Sequence, residues 1–240
     1  MKTATTSLLI VLLAAVSARA RVDHSGFDNL LKNNVRDGGV DYDNIKRHEL
    51  LELQSYLDML ALTDFATLAR EEQLACYINL YNAAVISAIC QRYGEGYTPS
   101  ERDFALFKEP VVQVNGRRMS LNDLENNVIR AQFKDPRVHA ALVCGSRSCP
   151  PILPRAYRAK DLEPALAANM KAFVNDATRN QVDRAGKKLV LSRIFDWYAD
   201  DFGGKDALPA YVSMYVTGDP VVGYTVAFSD YDWTLNDARP

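Results

Sequence analysis

The residues best suited to chemistry lie in one short segment, residues 135–151, which holds one of the chain's three histidines and two of its four cysteines. His139, Cys144 and Cys149 bring an imidazole and two thiols together with a Gly-Ser turn. A thiolate attacks a carbonyl carbon, and an imidazole moves protons near neutral pH. The segment therefore predicts a thiol-dependent hydrolase or acyltransferase acting on an amide or ester bond.

Spacing favours Cys149 as the nucleophile and His139 as the general base. Residues 138–143 are typical of an apolar strand, and side chains five positions apart on a strand point to opposite faces, which separates His139 from Cys144. Cys149 lies beyond the turn and directly before Pro150, where a helix entry would supply free N–H groups. Such groups lower a thiol pKa and stabilise an oxyanion.

A third group must orient the imidazole, and Glu125 is the first candidate, followed by Asn79 and Asn82. The two asparagines lie three positions apart in an apolar helical segment, where buried amides either hold a neighbouring backbone or line a polar site. The other candidate site residues are Cys144 as a second catalytic thiol, and Asn82, Ser146 and Arg147 for contact with the substrate.

The two thiols also allow a non-catalytic interpretation. Cys144 and Cys149 lie five positions apart across a turn, so in an oxidising compartment they could form a disulfide that staples the loop. The protein would then be a binding or scaffold module. Zinc ligation by His139 and these thiols matches no common structural spacing, so we expect no metal and no cofactor.

The remaining histidines and cysteines are expected to be structural. His24 and His48 stand among charged residues, which is typical of a protein surface. Cys76 and Cys90 lie fourteen positions apart on one predicted helix, about 21 Å, which is too far for a disulfide. We therefore expect both to be buried packing thiols.

The first twenty residues have the pattern of a secretory signal peptide. Lys2 precedes an apolar run over residues 8–16, and Ala18-Arg19-Ala20 is a small-x-small cleavage signal. The run is shorter than the roughly 20 residues that cross a bilayer, and no later stretch is expected to do so. We therefore expect a secreted or periplasmic protein, cleaved near Ala20, with no membrane span after cleavage.

The composition is that of a globular protein with a sizeable core. Of 240 residues, 48% are hydrophobic and 24% charged, and the net charge is -2. Because basic residues do not cluster, a nucleic-acid partner is disfavoured, and the expected partner is a small-molecule or peptide substrate. The aromatic residues of segments 195–202 and 231–233 are expected to lie in the core, with a ligand groove as the alternative.

The elements around these residues indicate an α+β fold. Residues 71–93 are the most apolar segment and predict a central helix, and Asn115-Gly116 predicts the turn of a hairpin. Leucines at helical spacing over residues 23–64 predict an N-terminal helical segment, which Gly38-Gly39 interrupts. We expect the central apolar helix to pack on a small, mainly antiparallel sheet, because the βαβ rhythm of a doubly wound fold is missing.

Five motifs follow one another along the second part of the chain. They are YINLYNA at 77–83, SLNDLE at 120–125 with Arg130, HAALVCGSRSCPP at 139–151, SRIFDWY at 192–198 with Asp201-Phe202, and YDWTLN at 231–236. Together they resemble the DUF547 family, a domain of unknown function in exported bacterial and plant proteins, over residues 68–236. Cys76 and Tyr77 stand where the family usually has two bulky aromatic residues. We therefore expect three parts: the signal peptide (1–20), the N-terminal helical segment (21–67) and the DUF547-like domain (68–236).

The family resemblance implies a fold similar to the papain and transglutaminase group, with a thiol and a histidine in one site. In that group the nucleophilic cysteine begins a helix upstream of the histidine strand, whereas here the candidate thiols follow His139. Two interpretations stay open: the order of the elements is permuted, or the original site is lost and Asn79 marks its position.

Overall fold

The structure is a computed structural model that describes residues 21–239. The predicted signal peptide lies outside the described residues. Within the described part, short helices and three small sheets are interleaved around one long buried helix. The predicted α+β class is confirmed.

The N-terminal segment is helical apart from a small hairpin at the predicted break. The hairpin turns at Asp37 and Gly38, whose φ angles are +48° and +79°. Glycine adopts this left-handed region without strain, which is why the helical pattern stops there. The elements are α1 (Ser25–Asn34), β1 (Val35–Arg36), β2 (Gly39–Val40), α2 (Tyr42–Asn44), a π turn (Ile45–Glu49), α3 (Leu50–Ala61) and a 3₁₀ turn (Phe65–Thr67).

The central helix is α4 (Arg70–Arg92), which is apolar around most of its circumference. By length and composition it is the one helix in the described part of the chain that could cross a membrane, and 94% of its most apolar window is buried inside the protein. The prediction that no stretch after the first twenty residues is long and apolar enough to cross a membrane is wrong, because α4 meets both conditions. The burial identifies α4 as the core helix of a folded domain.

The middle of the chain supplies one side of the candidate site. The predicted hairpin turns at Asn115-Gly116, and Ser120 begins the next helix with a reciprocal capping box to Asp123. The elements are α5 (Glu101–Lys108), β3 (Val112–Val114), β4 (Arg117–Met119), α6 (Leu121–Asp123), a π turn (Leu124–Arg130) and α7 (Ala131–Phe133).

The predicted strand over residues 138–143 is wrong. Residues Pro136–Ala140 form a 3₁₀ turn that carries His139. Pro136 fixes the first φ angle of the turn, and the Asp135 side chain accepts a hydrogen bond from the Arg137 N–H at 3.0 Å. Because side chains on such a turn do not alternate between two faces, the argument that separated His139 from Cys144 fails.

The C-terminal part contains the three-stranded sheet and short helices. Strands β5 (Gln181–Asp183) and β6 (Lys188–Leu191) are antiparallel, and β6 pairs with β7 (Thr225–Phe228) in parallel, so the small sheet is mixed. The elements are α8 (Leu162–Val174), β5 (Gln181–Asp183), β6 (Lys188–Leu191), α9 (Arg193–Trp197), α10 (Leu208–Ser213), β7 (Thr225–Phe228) and 3₁₀ turns at Ala159–Asp161, Ala199–Phe202 and Lys205–Ala207.

Two hydrophobic clusters form the core, and His139 lies where they meet. The larger cluster joins the N-terminal helices to α4, since Phe27 and Leu53 belong to it together with Ile78. The smaller cluster is built from α8, β6, α9 and α10. Val138 belongs to the first cluster and Ala140 to the second, so the 3₁₀ turn bridges them. The predicted boundary near residue 68 stays a prediction.

Candidate active site

A cavity of about 430 Å³ opens beside His139, where residues from both clusters line it. Cavities between packed units, with a few polar groups on apolar walls, are the usual place for a small-molecule site. The polar groups that line this cavity are Lys108, Asn122, Glu125, His139, Cys144 and Cys149. Aromatic residues form most of the remaining wall: Tyr81, Phe104, Phe107, Trp197, Tyr198, Tyr231 and Trp233.

His139 is held in one orientation by two neighbours. Its Nε2–H donates a hydrogen bond to Asp201 Oδ2 at 2.7 Å, since an ionised carboxylate can only accept. In the neutral ring, Nδ1 therefore carries the lone pair. The imidazole stacks on Tyr198 with ring centroids 3.9 Å apart, and His139 is 3% exposed.

Asp201 is fixed in turn by a two-point contact with Arg130. Arg130 donates from Nε to Oδ2 at 2.6 Å and from Nη2 to Oδ1 at 3.0 Å. The hydrogen bond from His139 and those from Arg130 outweigh partial desolvation, and they hold the pKa of Asp201 well below its ordinary value. The carboxylate is thus charged at neutral pH and fixes the tautomer of His139.

Glu125 lies near the other ring nitrogen. It is buried on the π turn after α6, and its Oε1 is 3.9 Å from His139 Nδ1, beyond hydrogen-bond distance. Burial raises the pKa of Tyr198, and the negative charge of Glu125 raises it further. Glu125 was the first candidate to orient the imidazole, but the hydrogen bond that does so runs from His139 Nε2–H to Asp201, which accepts it.

Cys144 is half-buried, and polar groups surround its sulfur. Sγ lies 3.1 Å from Ser146 Oγ and 3.2 Å from the Tyr231 hydroxyl oxygen. Burial alone would raise the pKa of the Cys144 thiol, but hydrogen bonds from Cys149, Ser146 and Tyr231 outweigh it and lower the pKa to about 7. These hydrogen bonds therefore favour the thiolate form of Cys144 over that of an ordinary thiol.

Cys149 differs from Cys144 in both its burial and the direction of its pKa shift. It is 3% exposed, its Sγ accepts a hydrogen bond from the Cys144 N–H at 2.8 Å, and burial together with the neighbouring Cys144 sulfur raises its pKa. The predicted helix entry at Pro150 is wrong, because the chain is irregular from there to the 3₁₀ turn Ala159–Asp161. The Cys149 N–H donates to the Ser146 carbonyl oxygen at 3.2 Å, so it is not free to bind an oxyanion.

All four cysteines are free thiols in the structure. The predicted Cys144–Cys149 disulfide is not formed, and the Cys149 sulfur instead accepts a hydrogen bond from the backbone N–H of Cys144. Cys76 and Cys90 are buried in α4, which confirms the prediction that they are packing residues without a mutual bond.

The two asparagines of α4 hold neighbouring backbone. Asn79 donates to the Tyr157 carbonyl oxygen at 2.8 Å and accepts from the Tyr157 N–H at 2.9 Å. Asn82 makes the same double contact with the Ala141 carbonyl oxygen and the Val143 N–H, both at 2.9 Å. Asn82 therefore positions the chain that leads from His139 to Cys144, and neither asparagine touches the imidazole.

The other two candidates for substrate contact differ in position. Ser146 is buried beside Cys144 and bonds its sulfur. Arg147 is exposed, and its backbone N–H donates to the Thr234 carbonyl oxygen at 2.8 Å. Arg147 lines a separate surface depression with Tyr93 and Asp237, outside the His139 cavity. The role of both residues as substrate contacts stays a prediction.

The aromatic wall was expected to be core, and this is wrong for part of it. Phe195 and Phe202 are buried, but Trp197 is 49% exposed and packs against Tyr231 and Trp233 at the cavity. The groove interpretation of these segments fits the structure better. The reason is geometric, because α9 turns one face to the second cluster and the other to the cavity.

Sequence reasoning missed Asp201, Tyr198 and Tyr231 as site residues. Asp201 was not among the candidate residues, and both tyrosines belong to the aromatic segments that were expected to lie in the core. The available signal was their place in the DUF547-like motifs SRIFDWY with Asp201-Phe202, and YDWTLN. His24 was expected at the surface and is 4% exposed, so that expectation is wrong, whereas His48 is exposed as expected.

Comparison with known proteins agrees with the resemblance seen in the motifs. No curated protein and no solved structure matches the chain significantly. One family model matches residues 65–174, which include Glu125, His139 and both candidate thiols. The family that this segment matches is described as "Protein of unknown function, DUF547".

Proposed function

We propose that this protein is an exported thiol-dependent hydrolase or acyltransferase that acts on an amide or ester bond in the cell envelope, with Cys144 as the nucleophile. The observation that carries the proposal is the Cys144 sulfur, which lies within hydrogen-bond distance of the Ser146 and Tyr231 hydroxyls in the cavity that also holds His139. A thiol with a lowered pKa in the same cavity as an oriented imidazole is an arrangement suited to covalent catalysis.

Cys144 fits the nucleophilic role better than Cys149. Cys144 is partly accessible and its pKa is lowered, whereas Cys149 is buried and its pKa is raised. Because Cys149 stays protonated, it supports the Cys144 thiolate as a hydrogen-bond donor. The preference for Cys149 from spacing rested on a strand and a helix entry that the structure does not contain.

The reaction starts when the Cys144 thiol gives its proton to His139 Nδ1, which carries the lone pair while Asp201 holds Nε2–H. The resulting Cys144 thiolate attacks the carbonyl carbon of the substrate. The imidazolium then protonates the departing amine or alcohol as the C–N or C–O bond breaks and a thioester forms on Cys144. Water, or an acceptor hydroxyl or amine, attacks the thioester, releases the acyl product and restores the thiol.

The walls of the cavity indicate the chemical character of the acyl group that the site would bind. Aromatic side chains dominate, and Phe104 meets Trp233 edge to face at 4.8 Å on one side of the opening. Apolar walls bind an apolar or aromatic acyl or peptide side chain through its buried area. Lys108 is the one cationic group of the lining, and it pairs with Asp103 at 2.6 Å.

Export and action in the envelope rest on residues 1–20, with Lys2, the apolar run and the cleavage signal at Ala18-Arg19-Ala20. A periplasmic or extracellular location also makes the state of the thiols relevant, because such compartments are oxidising. Localisation is tested directly by fractionating cells that express the full chain and sequencing the N-terminus of the exported product.

The test of the activity is a screen of p-nitrophenyl esters, thioesters and peptide anilides against the reduced protein. We expect an acylated Cys144 peptide in a mass spectrum of the quenched reaction, and turnover that disappears in Cys144→Ala. Cys90→Ala is the matched control, because Cys90 is a buried thiol near the C-terminal end of α4. Acylation of another residue, or full turnover by Cys144→Ala, would refute the assignment.

The disulfide-stapled module is the second candidate function. Its support is the contact between Cys144 and Cys149, in which the backbone N–H of Cys144 donates to the Cys149 sulfur at 2.8 Å. This function predicts a closed disulfide in the purified protein and a large loss of stability on reduction, with no turnover of any ester or amide tried. The mass spectrum with and without reductant separates the two functions.

A further inference from the structure

A second group of reactive side chains lies in the N-terminal part, apart from the cavity. His24, Glu72 and Cys76 are all buried, and each offers one donor atom within 4.8 Å of the other two. A nitrogen, a carboxylate oxygen and a sulfur together form a donor set that zinc and similar transition metals prefer. The proposed reaction uses none of these three residues.

Two of the three donors are arranged by helix geometry. Glu72 and Cys76 lie four positions apart on α4, so their side chains share one face of the helix. Glu72 Oε1 accepts a hydrogen bond from the Val22 N–H at 2.9 Å, which orients the carboxylate and leaves its second oxygen for a ligand bond. The third donor comes from another element, since His24 immediately precedes α1.

The imidazole is oriented as in a metal site. His24 Nδ1 lies 2.7 Å from the hydroxyl of Tyr56, which is itself buried, so Nε2 faces the sulfur. Holding one ring nitrogen with a hydrogen bond while the other ligates is the usual outer contact of a metal-bound histidine. Tyr56 is a residue of α3, so three separate elements converge on this point.

The distance between the two soft donors fits a bound ion. With Zn–N near 2.0–2.1 Å and Zn–S near 2.3 Å, tetrahedral ligands stand roughly 3.6 Å apart. His24 Nε2 and Cys76 Sγ are 3.7 Å apart. An S–H···N hydrogen bond also has this length, so the carboxylate of Glu72 within the same 4.8 Å is what distinguishes the cluster from a simple histidine and thiol pair.

A surface depression gives an ion access to the three donor residues. A depression of about 850 Å³ is lined by His24 and Glu72 on one side and by Arg158 and Lys160 on the other. Arg158 is paired with Asp28, which reduces its repulsion of a cation. The depression leaves room for water as a fourth ligand, which is the coordination of an open zinc site.

We propose that His24 Nε2, the Glu72 carboxylate and the Cys76 thiolate bind one zinc ion, with water from the depression as the fourth ligand. The Cys76 thiol releases its proton to solvent when it binds the ion. Because His24 precedes α1 while Glu72 and Cys76 lie on α4, the ion ties the N-terminal helices to the central helix.

The test is titration of the reduced full-length mature protein with Co²⁺, followed by Zn²⁺ in competition. We use Cys144→Ala/Cys149→Ala as the background, so that the thiols of the cavity cannot contribute. We expect a sulfur-to-cobalt charge-transfer band in the near ultraviolet that Zn²⁺ abolishes. The band should be lost in Cys76→Ser and kept in Cys90→Ser, the matched thiol control on the same helix.

Two further measurements keep the proposal falsifiable if Cys76→Ser folds poorly. Tyr56→Phe leaves all three ligands in place and should weaken metal affinity by about tenfold. X-ray absorption at the zinc edge of the background protein should show one sulfur ligand with nitrogen and oxygen ligands. Absence of the cobalt band, its survival in Cys76→Ser, or a zinc shell with no sulfur or with more than one would overturn the site.

Discussion

The chain places a histidine and a cysteine together twice, and the two places differ in what surrounds the sulfur. At the cavity, hydrogen bonds from Cys149, Ser146 and Tyr231 outweigh burial and lower the pKa of Cys144. In the N-terminal cluster, burial and the nearby charge of Glu72 together raise the pKa of Cys76 to about 12. The same chemical group is thus a candidate nucleophile at Cys144 and a protonated, unreactive thiol at Cys76.

The comparison shows that proximity to histidine does not decide the chemistry of a thiol. His24 is within 3.7 Å of Cys76, yet its own pKa is lowered by burial, so it supplies no positive charge there. At the cavity, hydroxyl and thiol groups next to the Cys144 sulfur lower its pKa instead. A buried thiol without donors needs a metal ion before it loses its proton.

The largest expected effect separates Cys144 from Cys76. Cys144→Ala removes the nucleophile and should reduce ester turnover by roughly 10³-fold or more. Cys76→Ala should leave turnover within a few-fold, because its sulfur lies outside the cavity. Steady-state kinetics with the best ester of the screen gives both numbers, and equal losses in the two variants would break the comparison.

The next effect comes from the support of His139. Asp201→Asn turns the acceptor into an amide that also donates, so the imidazole loses its fixed tautomer, and we expect kcat/KM to fall by roughly 100-fold. The fold should survive, because the amide keeps the shape of the carboxylate. An unchanged kcat/KM would show that His139 does not act as a base.

The same substitution changes stability with pH. The folded-state pKa of Asp201 is lowered, so its charged contacts stabilise the fold above its ordinary value of 3.8 and are lost as pH falls below it. We therefore expect the unfolding free energies of wild type and Asp201→Asn to differ most above pH 3.8, and the difference to narrow as pH falls from 3.8 toward the lowered pKa of the folded state. Urea unfolding across this range measures the difference, and a gap that widens in acid would contradict the account.

A smaller effect tests the donors to the Cys144 sulfur. Tyr231→Phe and Ser146→Ala each remove one hydrogen bond to a thiolate, so each should raise the pKa of Cys144 by about one unit. At pH 7 the rate of alkylation should then fall several-fold, whereas at pH 10 it should match wild type. A uniform loss at all pH values would mean that the substitutions had closed the cavity instead.

The smallest effect concerns the N-terminal cluster. Tyr56→Phe leaves the buried His24 Nδ1 without its partner and should cost about 1–2 kcal/mol of stability in the metal-free protein. Alkylation of Cys144 should be unaffected. Thermal unfolding with and without Zn²⁺ measures the change, and equal stability in wild type and variant would show that this hydrogen bond does not hold the imidazole.

Much of the fold could be predicted because local signals agree with the tertiary structure. The apolar run of α4, the Asn115-Gly116 hairpin and the capping box at Ser120 each have a pattern that specifies one conformation. The predicted strand failed for a local physical reason. Residues 138–143 read as a strand because they are apolar, but Pro136 and the Asp135 cap close a 3₁₀ turn first.

The site could be predicted only in part. His139, Glu125 and both thiols were found because they are reactive residues in one motif or near it, and the cavity contains all four. Asp201 lies 62 positions from His139 and Tyr231 lies 87 positions from Cys144, so no local pattern joins them. His24 was missed for the same reason, since its partners lie on α3 and α4.

The most direct test of the central claim is the pH dependence of iodoacetamide alkylation, with peptide mapping of Cys144 and Cys149 in the reduced protein. The account predicts that Cys144 is labelled first, with a rate that is half-maximal near pH 7, while Cys149 reacts only when the protein is unfolded. If Cys149 is labelled first, or Cys144 reacts only near the ordinary thiol pKa of 9.0, the assignment of Cys144 as the nucleophile is wrong.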